Sequence, residues 1–103
     1  MPYQETDFAE FITRDRGVAE WPKLTIELAT SYSPAFNDAF KAMFSHGIDR
    51  AWDPTLKRWL LSPDARDRAV ELAKQYYRSV YVTEGEDTTE VVSGRKYNAP
   101  KLF

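Results

Sequence analysis

The chain has 103 residues, 43% hydrophobic and 29% charged, which is enough for one domain with a real core and too short for two. Fourteen basic and sixteen acidic residues give a net charge of −2 and a pI near 5.4, unlike a strongly basic nucleic-acid binder. The absence of Cys excludes disulfide scaffolds, thiol catalysis and thiolate zinc sites, and a single His, His46, excludes a two-His metal centre.

Residues 6–16 are expected to form a short helix, with Thr6 as cap, Phe8, Phe11 and Ile12 on one face, and Gly17 ending it. Pro22 closes this segment, and residues 1–22 form a helical extension to the core. Lys23–Leu28 reads as a strand, with Leu24, Ile26 and Leu28 inward and Thr25 and Glu27 outward. Ser33-Pro34 opens a helix, Ser as N-cap and Pro at the first helical position. Its apolar stripe is Phe36, Ala39, Phe40, Met43 and Phe44. Gly47 offers a stop, with His46 at the helix end, where the dipole favours it.

Residues 48–61 read as a β-hairpin about Asp53-Pro54-Thr55-Leu56. Asp there can accept from backbone N–H groups ahead of it, and Pro presets φ at the second turn position. Trp52 precedes the turn and Trp59 follows it. Ser62-Pro63-Asp64 repeats the opening grammar for a second helix running to about Tyr77, burying Ala65, Ala69, Leu72, Ala73 and Tyr76. On its charged face Asp64–Arg68 and Glu71–Lys74 are favourable pairs. Val80 and Val82 begin a further strand. Glu84-Gly85-Glu86-Asp87 turns it toward a partner containing Val91 and Val92, and residues 94–103 read as irregular.

The fold class expected is therefore α+β. A β-α-β-β-α-β core spans residues 23–83, and a mostly antiparallel sheet carries two main helices on one face. Residues 84–103 add a hairpin and tail to a single domain of residues 1–103. No apolar run reaches the ~20 residues of a membrane span and no signal-peptide pattern opens the chain, so a soluble, cytoplasmic protein without a membrane partner is expected.

Charge is unevenly placed: residues 1–22 carry −3, residues 23–82 carry +2 and residues 83–103 carry −1. Lys41, Arg50, Lys57 and Arg58 are candidates for contact with phosphate oxygens. Lys57 and Arg58 alternate along a strand and so should face opposite ways. Trp52 and Trp59 are candidates for base stacking, worth ~1–3 kcal/mol per base. The competing role is as anchors of the hairpin, where burying one Trp contributes roughly 4–6 kcal/mol of gross apolar transfer.

The segment Lys23–Tyr77 resembles the HARP-type (HepA-related) domains of DNA annealing helicases, and similar small modules near phage recombination helicases and primases. The resemblance covers about half the chain. It runs through the strand Leu24–Leu28, Tyr32, Phe40-Lys41, Trp52-Asp53-Pro54-Thr55, Lys57-Arg58-Trp59 and the helix Ser62–Tyr77. Two departures are a longer connection between Lys41 and Trp52 and the lack of a Gly-rich phosphate loop. The resemblance implies recognition of DNA, at junctions or as single strands, without ATP hydrolysis.

Nothing in the residues points to an enzyme, a metal or a cofactor. Glu84, Glu86 and Asp87 fall in an expected exposed turn with nothing to separate their pKa values, and no Ser sits in a nucleophile elbow. The function expected is a small non-enzymatic nucleic-acid-binding accessory module. The alternative is a protein–protein adaptor, or a viral or mobile-element accessory protein, with Tyr76, Tyr77, Tyr81 and Tyr97 as interface anchors.

Overall fold

The computed structural model describes residues 7–91 together with the backbone of residues 96–98. Its elements run β1 (Phe8–Thr13), β2 (Ile26–Thr30), α1 (Pro34–Met43), β3 (Arg50–Asp53), β4 (Arg58–Leu61), a 3₁₀ turn (Pro63–Ala65), α2 (Arg66–Lys74), β5 (Ser79–Glu84), β6 (Asp87–Glu90) and β7 (Lys96–Asn98). The strands form one sheet in the order β3-β4-β2-β1-β5-β6-β7. All neighbours pair antiparallel except β1 and β5, which are parallel. The fold is thus α+β on a mixed sheet. Neither helix is long and apolar enough to cross a membrane.

The helix expected at residues 6–16 is instead the central strand β1. Phe8, Phe11 and Ile12 share a face at helical spacing, but the decisive pair is Ala9 and Phe11, both fully buried and two residues apart. Between β2 and β5 both backbone edges of this segment find partners, and that pairing overrides a local period of five residues. Gly17 does not end a helix. It lets the chain fold back on Trp21-Pro22, where an added Cβ would lie 2.2 Å from the Trp21 carbonyl oxygen.

Register explains which side of the sheet is apolar. Phe11 pairs with Leu28, Leu28 with Trp59, Ile26 with Leu61 and Ala9 with Val80, so these side chains share one face. Phe36, Phe40 and Phe44 from α1 and Ala69, Leu72 and Ala73 from α2 close over them in one continuous core. Phe40 stacks with Phe36 at 5.5 Å and meets Phe44 at 5.1 Å and Trp59 at 5.0 Å in tilted contacts, between ring centroids. Ser33 caps α1 as its sequence suggests, accepting from the Phe36 amide at 3.2 Å. Met43, however, the last residue of α1, is half-exposed and borders a groove with Arg68 and Leu72 of α2.

The second helix starts and stops otherwise than expected. Pro63–Ala65 forms a 3₁₀ turn first, and the Ser62 side chain caps nothing. The α-helix ends at Lys74, so Tyr77, not Tyr76, turns into the core. The Tyr77 hydroxyl donates to the Ser31 carbonyl at 2.9 Å, and burial pushes its pKa up. Lys74 pairs with Glu71 at 3.2 Å as expected, but Arg68 lies over the Phe44 ring at 5.2 Å and Arg66 reaches Glu84 at 2.6 Å.

On the other face Glu27 lies between Ile12 and Leu60 in register, and it is buried rather than outward to solvent. A smaller apolar cluster of Leu24, Ala51 and Leu60 lies beside it under Val18 and Trp21. Residues 94–103, expected to be irregular, contain β7 at Lys96–Asn98, held by pairing with β6. Val91 follows β6 directly, while Val92 and the rest of the tail lie outside the described residues.

Candidate functional site

The β3–β4 hairpin closes through Pro54-Thr55-Leu56-Lys57. Asp53 organises the turn as its sequence suggests, its Oδ1 accepting from the Thr55 and Leu56 amides at 2.8 and 3.1 Å. The Asp53 carbonyl also accepts from the Lys57 amide at 2.7 Å. Lys57 closes the turn with φ of 56°, the one non-glycine residue with positive φ among the described residues. A left-handed conformation costs a residue with a Cβ about 1–2 kcal/mol, and the flanking ladder holds it there.

Trp52 and Trp59 are paired in register, share a face and meet edge to face at 5.2 Å. Their environments nevertheless differ. Trp59 is on β4 beneath α1, 9% exposed, with its indole Nε1 donating to Asn37 Oδ1 at 3.4 Å. Trp52 is on the edge strand beyond the helix and remains 46% exposed. One tryptophan is therefore an anchor and its neighbour is available to solvent.

A cleft of about 210 Å³ opens beside this pair, walled by Tyr32, Asn37, Trp52, Trp59, Lys57 and Arg58. Tyr32, in the link between β2 and α1, is 84% exposed. Asn37 was not legible as a site residue. Its sole signal in the sequence is a polar amide one residue after Phe36, beside the apolar stripe of the helix.

The four cations read from the sequence separate into two kinds. Arg50 donates through Nε to the Phe44 carbonyl at 2.9 Å and lies 5.6 Å from the Trp59 ring centroid, so it ties β3 to the end of α1. Arg58 reaches across the other face to Glu27 at 2.6 Å. Lys41, on α1, and Lys57, at the turn tip, are exposed and form no ion pair among the described residues. Lys57 and Arg58 line the cleft; Lys41 and Arg50 do not.

Glu27 is a second residue that local pattern did not reveal. Its two oxygens accept from Arg14 at 2.7 Å and Arg58 at 2.6 Å. Burial alone would push its carboxyl up, but the hydrogen bonds and charges of the two guanidiniums outweigh that and hold its pKa below the ordinary value. The same contacts raise the pKa of Arg14.

His46 sits beyond the helix, bridged to Arg50 through the backbone and edge-on to Trp21 at 5.7 Å. Among the described residues no group of three His, Asp or Glu side chains is placed to hold a metal ion. Of the four tyrosines considered as interface anchors, Tyr77 is buried, Tyr81 half-buried and Tyr76 38% exposed, while the Tyr97 side chain lies outside the described residues. An open apolar groove runs between the helices past Met43, Arg68 and Leu72. Comparison with protein-family models, with curated proteins and with solved structures finds no match, so the HARP-type resemblance rests on the residues quoted for it.

Proposed function

We propose that the protein is a small non-enzymatic nucleic-acid-binding accessory module that engages the phosphate backbone at the turn of the β3–β4 hairpin. The observation that carries this reading is the cleft itself, where Lys57, without a carboxylate partner among the described residues, stands beside two solvent-exposed aromatic rings. A polyanion with flat bases matches both features at once. Lys41 is the second cation available for a phosphate. Arg50 and Arg58 are engaged within the fold, Arg50 joining β3 to the end of α1 and Arg58 joining β4 to β2. The HARP-type resemblance points the same way.

Fluorescence anisotropy with labelled DNA tests the proposal. Binding should weaken steeply as salt rises, and Lys57→Gln should weaken it further and flatten the salt dependence. Absence of binding at micromolar protein and low salt, or binding indifferent to salt, would refute it. A protein–protein adaptor is the second reading, favoured by the Met43–Leu72 groove and the exposed edge of Tyr76. Stable assembly lost with Met43→Lys, in a protein that ignores DNA, would establish that reading instead.

A further inference from the structure

We infer that the cleft admits a single unstacked nucleobase, so that the preferred ligand is single-stranded rather than duplex nucleic acid. The inference rests on the nucleic-acid reading above and specifies its substrate class. Size is the first argument. An apolar cavity of about 150 Å³ accepts one benzene ring. The cleft, at about 210 Å³, is large enough for one planar heterocycle.

Wall chemistry is the second. Tyr32 and Trp52 leave ring surface in water at 84% and 46% exposure, in a domain that buries every Phe of its core. An aromatic face held open by a rigid frame is suited to stacking, and that frame is present: Trp52 meets Trp59 edge-on, Trp59 meets Phe40 beneath it, and Asn37 pins the Trp59 indole. Because an indole N–H only donates, Asn37 must present its oxygen to Trp59. Its NH₂ group has no partner among the described residues and is therefore a donor to spare at the cleft, matched to a carbonyl on a pyrimidine edge.

Geometry is the third. In a duplex the base faces are covered by their neighbours, so only the phosphates would meet this hairpin and the aromatic wall would contribute nothing. In a single strand one base can turn into the cleft while the adjacent phosphate meets Lys57.

The test uses the whole chain and three probes of equal phosphate count: an oligothymidine of roughly ten nucleotides, the same backbone with abasic spacers, and a duplex. The oligothymidine should bind about 5- to 150-fold more tightly than the spacer strand, the range that one base–aromatic stack spans. Trp52→Leu should bring that ratio down toward unity, read as the quotient of the two affinities measured on the same variant. Equal binding of thymidine, spacer and duplex would overturn the inference and leave phosphate recognition standing. No binding of any probe at low salt would overturn both. The wild-type comparison of thymidine with spacer strands decides the matter independently of whether the variant folds.

Discussion

The β3–β4 hairpin turns through Pro54-Thr55-Leu56-Lys57 between two tryptophans, whereas the β5–β6 hairpin turns at Gly85 among Glu84, Glu86 and Asp87. They lie toward opposite ends of one sheet. The first turn needs Asp53 and a strained Lys57 to close; the second relies on Gly85 at φ of 63°, where no Cβ resists. Across the first, Trp52 meets Trp59 edge-on and Trp59 packs on Phe40 of α1. Across the second, hydroxyls do the joining: Thr83 donates to Glu10 at 2.7 Å and meets Thr88 at 2.9 Å. For the proposed polyanion site this separation matters, because the acidic tip that would repel phosphate lies toward the other end of the sheet. Net charge speaks of the whole surface, and binding depends on one end of it.

The sharpest way to break this contrast is within the first hairpin. Trp59→Ala should lower unfolding free energy by about 3–5 kcal/mol, as for other buried aromatics, and urea denaturation would read it. Trp52→Ala, at the same register but half in water, should cost about 1 kcal/mol. Equal costs would mean that both rings are anchors, and the cleft would lose its open wall.

Glu27 joins the first hairpin to the centre of the sheet, and Glu27→Gln should cost about 1–3 kcal/mol. That is less than the 3–5 kcal/mol of a fully buried pair, since Arg14 and Arg58 are 50% and 36% exposed. Its carboxyl is held below the ordinary glutamate value, so its contribution is complete above about pH 5. It disappears as pH falls through the ordinary value of about 4.3 and then through the lower folded one. Acid titration of the wild-type protein should show this loss, and Glu27→Gln should show less of it.

The smallest effect belongs to the second hairpin. Thr83→Val removes the hydroxyl that joins Glu10 to Thr88 and should cost about 0.5–1.5 kcal/mol, with oligonucleotide affinity unchanged. A change in affinity would place the binding surface on the wrong hairpin.

The same contrast shows what sequence alone reveals. Short-range grammar was legible: Ser33-Pro34 begins α1, Asp53-Pro54 turns the first hairpin, and Gly85 turns the second. Each of these is decided within four residues. Long-range pairing was not. Phe8 to Thr13 carries a pattern compatible with a helix until β2 and β5 are placed on either side of it. Glu27 looks like a solvent-facing strand residue until Arg14 and Arg58, distant in the chain, arrive over it. Of the site, the two tryptophans and Lys57 were readable as candidates, but not which tryptophan stays exposed. That depends on α1 covering β4 through Asn37 and Phe40 while Trp52 stands on the edge strand.

The central claim is tested most directly by titrating labelled protein with oligothymidine and following backbone amide and indole resonances. The account predicts shifts confined to the Trp52 indole, Tyr32, Asn37 and the Lys57 turn, with Glu84 to Asp87 unmoved. Shifts centred on the helix groove or the acidic turn, or none at saturating oligonucleotide, would contradict it.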